Sequence, residues 1–201
     1  MKKIIVLSFS VILLIGCKNN QNESSSKKSN EQVEHKEDAK KERKTETKKK
    51  MLSPHTSVMA MIGDAHIHID YSSPGVRNRI IFGGLVGYDN VWQAGAHMAT
   101  WIETNKNLEI DGKILPAGKY GFFTIPSKKD WTIMINKNWN QHGKDEYDQK
   151  DDVLRFLVAP TISEKITEHL EYKVTNTKEN EGSISLSWEK ITVSFPIKIN
   201  Q

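Results

Sequence analysis

From about Ser57 onward, polar and apolar residues alternate in short runs along the chain. Residues 183–188 read Ser-Ile-Ser-Leu-Ser-Trp, and residues 66–71, 170–174 and 191–195 follow the same period of two. Successive side chains of a strand point to opposite faces of its sheet. Each of these segments therefore predicts a strand with one face in a core and the other face in water.

Turn residues separate these runs. The pair Asp111-Gly112 lies between two short apolar segments, which is a strong signal for a tight hairpin. Further turns or loops are expected at residues 116–118, 127–130, 176–182 and 189–190. The helix candidates are two short segments, residues 145–150 and 163–167. Nine or ten short strands with little helix predict an all-β fold, an antiparallel β-sandwich or jelly roll in a single domain.

The amino terminus has a different pattern. Lys2 and Lys3 precede an apolar run over residues 4–15. A membrane-spanning helix needs about 20 apolar residues, so this run has the length of a signal-peptide core rather than of a stable anchor. The run ends in Leu-Ile-Gly-Cys at residues 14–17, which resembles the lipobox of bacterial lipoproteins. The resemblance implies a signal peptide over residues 1–16 and acylation of Cys17, for example by palmitate.

A lipid on Cys17 would make the bilayer the first partner of this protein. Several buried acyl chains hold a protein on a membrane almost irreversibly. In the lipoprotein class, an aspartate after the cysteine favours the inner membrane, and this chain has Lys18 instead. We therefore expect an outer-membrane location, with the protein facing either the periplasm or the cell exterior. Cys17 is the only cysteine, so the chain forms no internal disulfide.

Residues 18–50 contain one large apolar residue, Val33, and are rich in Asn, Ser, Lys and Glu. Such a segment cannot bury enough apolar surface to offset its conformational entropy, so we expect it to be disordered. Residues 17–50 would then consist of the lipidated cysteine followed by a disordered, charged tether. A coil of this length spans about 30 Å. The tether acts either as a solvated spacer or as a basic segment that contacts anionic headgroups. The folded domain is expected over residues 51–201.

The charge of the folded part argues against one class of partner. The formal net charge of the chain is +4, but residues 51–201 carry 16 Lys and Arg against 18 Asp and Glu. A nucleic-acid-binding domain needs a basic face to neutralise phosphates, and this domain has no basic surplus. We expect no nucleic-acid partner.

Several segments of the folded part resemble one family. Residues 71–79 read Tyr-Ser-Ser-Pro-Gly-Val-Arg-Asn-Arg, residues 92–100 read Trp-Gln-Ala-Gly-Ala-His-Met-Ala-Thr, and residues 115–126 read Leu-Pro-Ala-Gly-Lys-Tyr-Gly-Phe-Phe-Thr-Ile-Pro. Together with residues 131–133 and 151–155, they resemble the family of domain-of-unknown-function 2911, common in Bacteroidota. The resemblance covers about residues 53–199 and implies a secreted β-sandwich without an assigned activity.

Two segments depart from the family pattern. Many members read Ser-Arg-Pro where this chain has Ser-Ser-Pro at residues 72–74. Many also read Trp-Arg-Thr-Gly-Ala-Asn-Glu-Ala-Thr where this chain has its residues 92–100. If those arginines and the Asn-Glu pair form a polar site in relatives, that site is altered here.

Two histidines stand out as candidate metal ligands. His97 follows a Gly-Ala pair, and His142 lies in a loop with Asp145, Glu146 and Asp148 nearby. Two imidazoles and a carboxylate can bind zinc or another divalent ion, although this spacing matches no metal motif. The alternative is that each histidine forms only local hydrogen bonds. His66 and His68 share one strand face; this pair can also chelate a metal, or simply form the exposed side of a strand.

Aromatic and basic residues offer a second kind of site. Trp131 and Trp188 lie in strand patterns and are expected in the core, whereas Trp92 and Trp139 lie in loops and are expected on a ligand-binding surface. The only arginines of the folded part bind an anionic ligand or pair with the acids at residues 151–152; they are Arg77, Arg79 and Arg155.

The pattern shows no catalytic signature. There is no Gly-x-Ser-x-Gly segment, and acylation would remove the only thiol as a nucleophile. We therefore expect a non-catalytic binding or envelope-associated module without a cofactor, whose ligand or protein partner the sequence does not identify. Two alternatives remain: a metal-dependent envelope hydrolase that uses His97 and His142, and a structural partner of other envelope proteins.

Overall fold

The computed structural model describes residues 51–200. Its strands are, in chain order, β1 (His55–Ile62), β2 (Ala65–Ser72), β3 (Trp101–Thr104), β4 (Asn107–Ile110), β5 (Lys113–Leu115), β6 (Gly118–Ile125), β7 (Trp131–Asn136), β8 (Asp152–Val158), β9 (Thr161–Lys178) and β10 (Glu181–Asn200). The predicted signal peptide, Cys17 and tether lie outside the described residues. Among residues 51–200, no helix is long and apolar enough to cross a membrane.

The first sheet has six strands in the order β1-β2-β3-β6-β7-β8. All of its pairings are antiparallel. The period-two pattern of the sequence matches the burial of β2 in this sheet. Ile67 and Ile69 are fully buried, whereas His66 and His68, which alternate with them, are only partly buried. One face of the sheet therefore belongs to the core and the other faces outward.

The second sheet has four strands in the order β5-β4-β10-β9. Asp111 and Gly112 join β4 to β5 with φ values of 52° and 70°. Two successive positive φ values are typical of a type I′ turn. The backbone twist of this turn matches that of the two strands it joins, so it suits a hairpin with a two-residue loop. The predicted Asp-Gly hairpin is thus confirmed.

The two sheets pack face to face around one apolar core. Phe122 of β6 stacks on Phe195 of β10 with 6.2 Å between ring centroids, and Phe156 of β8 meets the same ring edge-on at 5.1 Å. Trp131 and Trp188, one from each sheet, are each 1% exposed, as expected from their strand patterns. The all-β sandwich predicted from the sequence is confirmed.

Four local predictions are wrong or incomplete. Residues 163–167, expected as a short helix, belong to β9. Residues 145–150 form only a single 3-10 turn at Gln149–Asp151. The loop expected at residues 176–182 shrinks to a two-residue turn, since β9 ends at Lys178 and β10 begins at Glu181.

The tight turn expected at residues 189–190 is also wrong. β10 continues through this point, and the pairing with β9 shifts register on both sides of Glu189. The φ of Glu189 is 57°, so one residue in left-handed conformation creates a bulge instead of reversing the chain. A bulge and a turn use the same kind of residue, which is why the sequence did not separate them.

Candidate functional site

A long connection, residues 73–100, joins β2 to β3 without forming a strand of its own. Connections longer than about 12–15 residues are uncommon inside compact domains and are usually functional when they are ordered. This one carries apolar residues into the core, among them Phe82 and Trp92. It therefore has a fixed shape and can form the walls of a site.

Hydrogen bonds to the second sheet and within the connection hold it in place. The carbonyl oxygen of Ala94 accepts a 2.8 Å bond from the hydroxyl of Tyr172 and a 3.0 Å bond from the hydroxyl of Thr100. The hydroxyl of Ser73 donates to the carbonyl of Leu170 at 2.7 Å. Tyr172 is 2% exposed, and burial raises its pKa well above 10, so its hydroxyl stays a donor throughout the physiological range.

Four aromatic rings pack together here, two from the connection and one from each sheet. The ring of Phe82 meets Trp92, Trp131 and Trp188 edge-on at 6.0, 4.8 and 6.0 Å between centroids. Trp92, expected on a ligand-binding surface, is 6% exposed and donates from Nε1 to the carbonyl of Gly95 at 3.0 Å. Trp92 therefore contributes to the floor of a site and does not form an open stacking platform.

Above this floor lies a cleft of about 490 Å³. We call it the basic cleft, because four residues with basic side chains line it and no Asp or Glu does; they are Arg77, Arg79, His97 and Lys144. Leu85, Val86 and Val91 supply apolar walls, and Trp92 and Trp188 form its floor. Four of the six candidate ligand-binding residues from the sequence thus meet here, and Lys144 joins them from a separate loop.

The two arginines of the cleft are available to a ligand. No carboxylate within residues 51–200 forms a salt bridge with either of them. The guanidinium of Arg79 donates to the carbonyls of Val76 and Gly75, which fixes its orientation and leaves three of its five N–H groups. The nearby Glu168 accepts from the backbone N–H of Arg77 at 2.9 Å and does not line the cleft.

The backbone around the cleft is strained. Arg77, Asn78, Ala94 and His97 have φ values of 49°, 56°, 51° and 62°. Left-handed conformations of residues other than glycine cost about 1–3 kcal/mol each and concentrate at functional sites. Two of these residues, Arg77 and His97, line the cleft themselves.

His142 approaches the cleft without joining its lining. The backbone N–H of Gly143 donates to the carbonyl of His97 at 2.7 Å, so the two histidine loops do meet. The Nδ1 of His142 lies 3.5 Å from a carboxylate oxygen of Asp145, and both side chains are exposed. Within residues 51–200, no group of three His, Cys, Asp or Glu residues is arranged to hold a metal. The metal centre predicted at His97 and His142 therefore finds no third ligand there.

Trp139 lies elsewhere, on the outer face of the six-stranded sheet. Its ring and that of Trp101 are 6.4 Å apart between centroids. The ammonium of Lys119 lies 3.4 Å from the centroid of Trp101 and 3.9 Å from that of Trp139. Trp139 does not line the basic cleft and instead borders a different depression.

The third arginine forms the ion pair considered for it. Nη1 of Arg155 lies 3.1 Å from Oδ2 of Asp152, and the hydroxyl of Tyr147 donates to the same oxygen at 2.8 Å. Burial, together with the hydrogen bond and charge of Asp152, raises the pKa of Tyr147 to about 12. The charged groups of this cluster are paired with one another, so the cluster stabilises the fold and offers no free charge to a ligand.

Two residues of the site were missed by sequence reasoning. Lys144 gave no signal beyond following the His142-Gly143 pair. Trp188 was expected to be purely structural, but it also lines the basic cleft, and its indole Nε1 is buried without a hydrogen-bond partner among residues 51–200. An indole N–H only donates, so an acceptor is the group that would satisfy it.

Comparisons with known proteins give one match. Residues 53–197 match the model of a family described as protein of unknown function DUF2911. No curated protein matches the chain, and neither does any solved structure.

Proposed function

This chain belongs to the DUF2911 family of proteins of unknown function, and from that premise we propose that it is a lipid-anchored, non-catalytic binding module of the cell envelope whose ligand occupies the basic cleft. The ligand that this site fits has an anionic group, a carboxylate or a phosphate, attached to an apolar portion. The anionic group would lie among the four basic side chains, and the apolar portion would lie against Leu85, Val86 and Val91.

The observation that carries this proposal is the absence of acidic residues from the lining of a cleft that gathers four basic ones. Arginine is suited to carboxylate and phosphate because its planar fork of N–H groups pairs with two oxygens at once. The orientation of Arg79 is already fixed by backbone carbonyls, so little conformational entropy is lost when a ligand binds.

The structure gives less support to a metal-dependent hydrolase. His97 and His142 would need a third ligand, and residues 51–200 arrange none. The lining of the basic cleft also contains no Asp or Glu, so no carboxylate there can serve as a metal ligand or as a general base. Binding therefore accounts for the site better than catalysis does.

Phenyl phosphate and benzoate are suitable probes for the cleft, with phenol as the uncharged counterpart of the first. We expect both anions to shift the NMR signals of residues 77–97 in the full chain, and phenol to shift them much less. The substitutions Arg77→Gln and Lys144→Gln should weaken the binding of both anions, and added salt should weaken it further. The comparison of the two anions tells phosphate from carboxylate.

Arg155→Gln is the matched control, because Arg155 carries the same charge but is paired with Asp152 outside the cleft. The proposal for the cleft fails if Arg155→Gln weakens binding as much as Arg77→Gln, or if phenol binds as well as phenyl phosphate.

The anchor is tested separately, so that either half of the proposal can fail alone. Cys17→Ser should release the protein from the membrane fraction and remove the diacylglyceryl mass from the amino-terminal peptide. Ser24→Ala, in the predicted tether, should change neither result. A Cys17→Ser protein that still fractionates with membranes would refute the lipid anchor and leave the cleft unaffected.

A further inference from the structure

The hairpin of β1 and β2 presents two methionines and two histidines on one face. In the antiparallel register, Met59 lies opposite His68 and Met61 lies opposite His66. Residues directly opposite each other have Cβ atoms about 4.5–5.5 Å apart and point to the same side of the sheet. The intervening residues Ile62, Ile67 and Ile69 point into the core, so all four side chains lie on the outer face.

The exposure of the two methionines lacks a packing explanation. Met59 is 57% exposed and Met61 is 52% exposed, so neither thioether fills a gap in the core. Both precede a tight turn, and each faces an imidazole across the hairpin. Side chains this flexible can move their sulfur atoms toward a ligand that the neighbouring histidines bind.

His68 carries the second, independent sign of a missing partner. Its Nε2 is buried and has no hydrogen-bond partner among residues 51–200. Its ring meets that of Trp101 edge-on at 4.7 Å and lies 6.3 Å from the ring of His66. A buried polar atom without a partner commonly marks a place where water or an ion belongs.

The chemistry of this donor set selects a soft metal. Thioether sulfur prefers monovalent copper, and neutral imidazole also binds copper well, whereas magnesium and calcium prefer oxygen ligands. The groups of three His, Cys, Asp or Glu that serve zinc and other divalent ions are absent from residues 51–200. Glu103, opposite His68 on β3, places a negative charge beside the patch.

We propose that Met59, Met61, His66 and His68 form a surface site for Cu(I), independent of the basic cleft. None of the four residues lines that cleft. The site is built on a single hairpin, so the strand register alone sets the spacing of its donors. The neighbouring indole of Trp101 covers one side of His68 and would limit the access of water to the bound ion.

The test uses the full chain with Cys17→Ser in every sample, so that no thiol competes for the metal. Cu(I), kept reduced with ascorbate under nitrogen, is titrated against the chromophoric chelator bicinchoninate. We expect one Cu(I) per chain to be withdrawn from the chelator, and X-ray absorption to show mixed sulfur and nitrogen ligands. The double variant Met59→Leu, Met61→Leu should lose this binding, and so should His66→Gln, His68→Gln.

The matched control is Met98→Leu, His142→Gln, which removes a single exposed methionine and the histidine that faces it across an isolated bridge. This variant should bind Cu(I) like the parent. Ag(I), a diamagnetic substitute, should shift the methyl signals of Met59 and Met61 and leave that of Met98 in place.

The methyl spectrum also shows that each variant is folded, because the core signals must stay unchanged. Binding that survives in both hairpin variants overturns the proposal, as does binding that the control loses equally. A failure to withdraw any Cu(I) from the chelator overturns it as well. These results leave the anion-binding proposal unaffected, because its probes and variants involve other residues.

Discussion

The hydroxyl of Tyr172, on the central part of β9, donates a 2.8 Å hydrogen bond to the carbonyl oxygen of Ala94 in the long connection between β2 and β3. This bond links the four-stranded sheet to the segment that forms the basic cleft. Ala94 itself has a positive φ of 51°, so the bond helps to hold a backbone conformation that the residue disfavours.

Tyr172→Phe should therefore loosen the cleft more than it damages the core. The carbonyl of Ala94 keeps its bond from Thr100, so we expect a loss of about 1 kcal/mol in the free energy of unfolding, the usual value for one hydrogen bond. Hydrogen exchange should accelerate in residues 92–100. Tyr120→Phe, which removes a 3.1 Å bond to the carbonyl of Pro116 outside the cleft, is the control. Equal protection of residues 92–100 in wild type and Tyr172→Phe would contradict this role.

Alkaline stability should depend on Tyr147. Its pKa is raised from 10.0 to about 12, so the folded state favours the protonated phenol more strongly than the unfolded state does. That contribution to stability is complete below pH 10 and is lost as the pH rises to about 12. Denaturant unfolding across this range should show a steeper loss for wild type than for Tyr147→Phe. Parallel pH profiles of the two proteins would refute the assignment.

Gly112 offers a test of backbone strain alone. Its φ is 70°, and an added Cβ would meet no atom within 4 Å. Gly112→Ala should therefore cost about 1 kcal/mol from conformation, without any clash. Gly112→Asn should cost less, because asparagine tolerates the left-handed region better. Thermal or denaturant unfolding measures both, and an alanine variant as stable as wild type would rule out strain at this turn.

Lys119 should stabilise the outer face through its two indole neighbours. Lys119→Met keeps most of the aliphatic stem but removes the charge that lies 3.4 Å from the centroid of Trp101. We expect a loss of about 1 kcal/mol, typical of a partly buried cation–π contact. Lys128→Met, whose ammonium lies 5.9 Å from the Tyr88 centroid, should change stability much less. A double-mutant cycle of Lys119→Met with Trp139→Leu measures the coupling energy between the two side chains. A coupling energy of zero would mean that the contact is energetically neutral.

The strands that the sequence predicted are those with one buried face. Residues 183–188 alternate between polar and apolar because one face of β10 packs on the core and the other faces water. The sequence pattern therefore identifies this strand directly. Residues 161–166 of β9 are exposed throughout, so no apolar period marks them as a strand. Their conformation comes from pairing with β10, for example Ile162 with Ile191, and a pairing partner about thirty residues away leaves no local trace.

The site was predictable only in its parts. Arg77, Arg79 and His97 could be singled out by residue type, but their meeting depends on how residues 73–100 fold back over the core. That path is set by distant groups such as Tyr172, and Lys144 reaches the cleft through the bond between Gly143 and the carbonyl of His97. The face that carries Met59, Met61, His66 and His68 could not be recognised from the sequence alone, because it depends on the pairing register of β1 and β2. The alternation of polar and apolar residues only suggested β1.

The position of β10 has a consequence for the way this protein folds. It follows β4, β5 and β9 along the chain, yet it lies between β4 and β9 in their sheet. The strands β4 and β9 are therefore joined only through a strand that comes after both of them, and pairings between such distant segments slow folding.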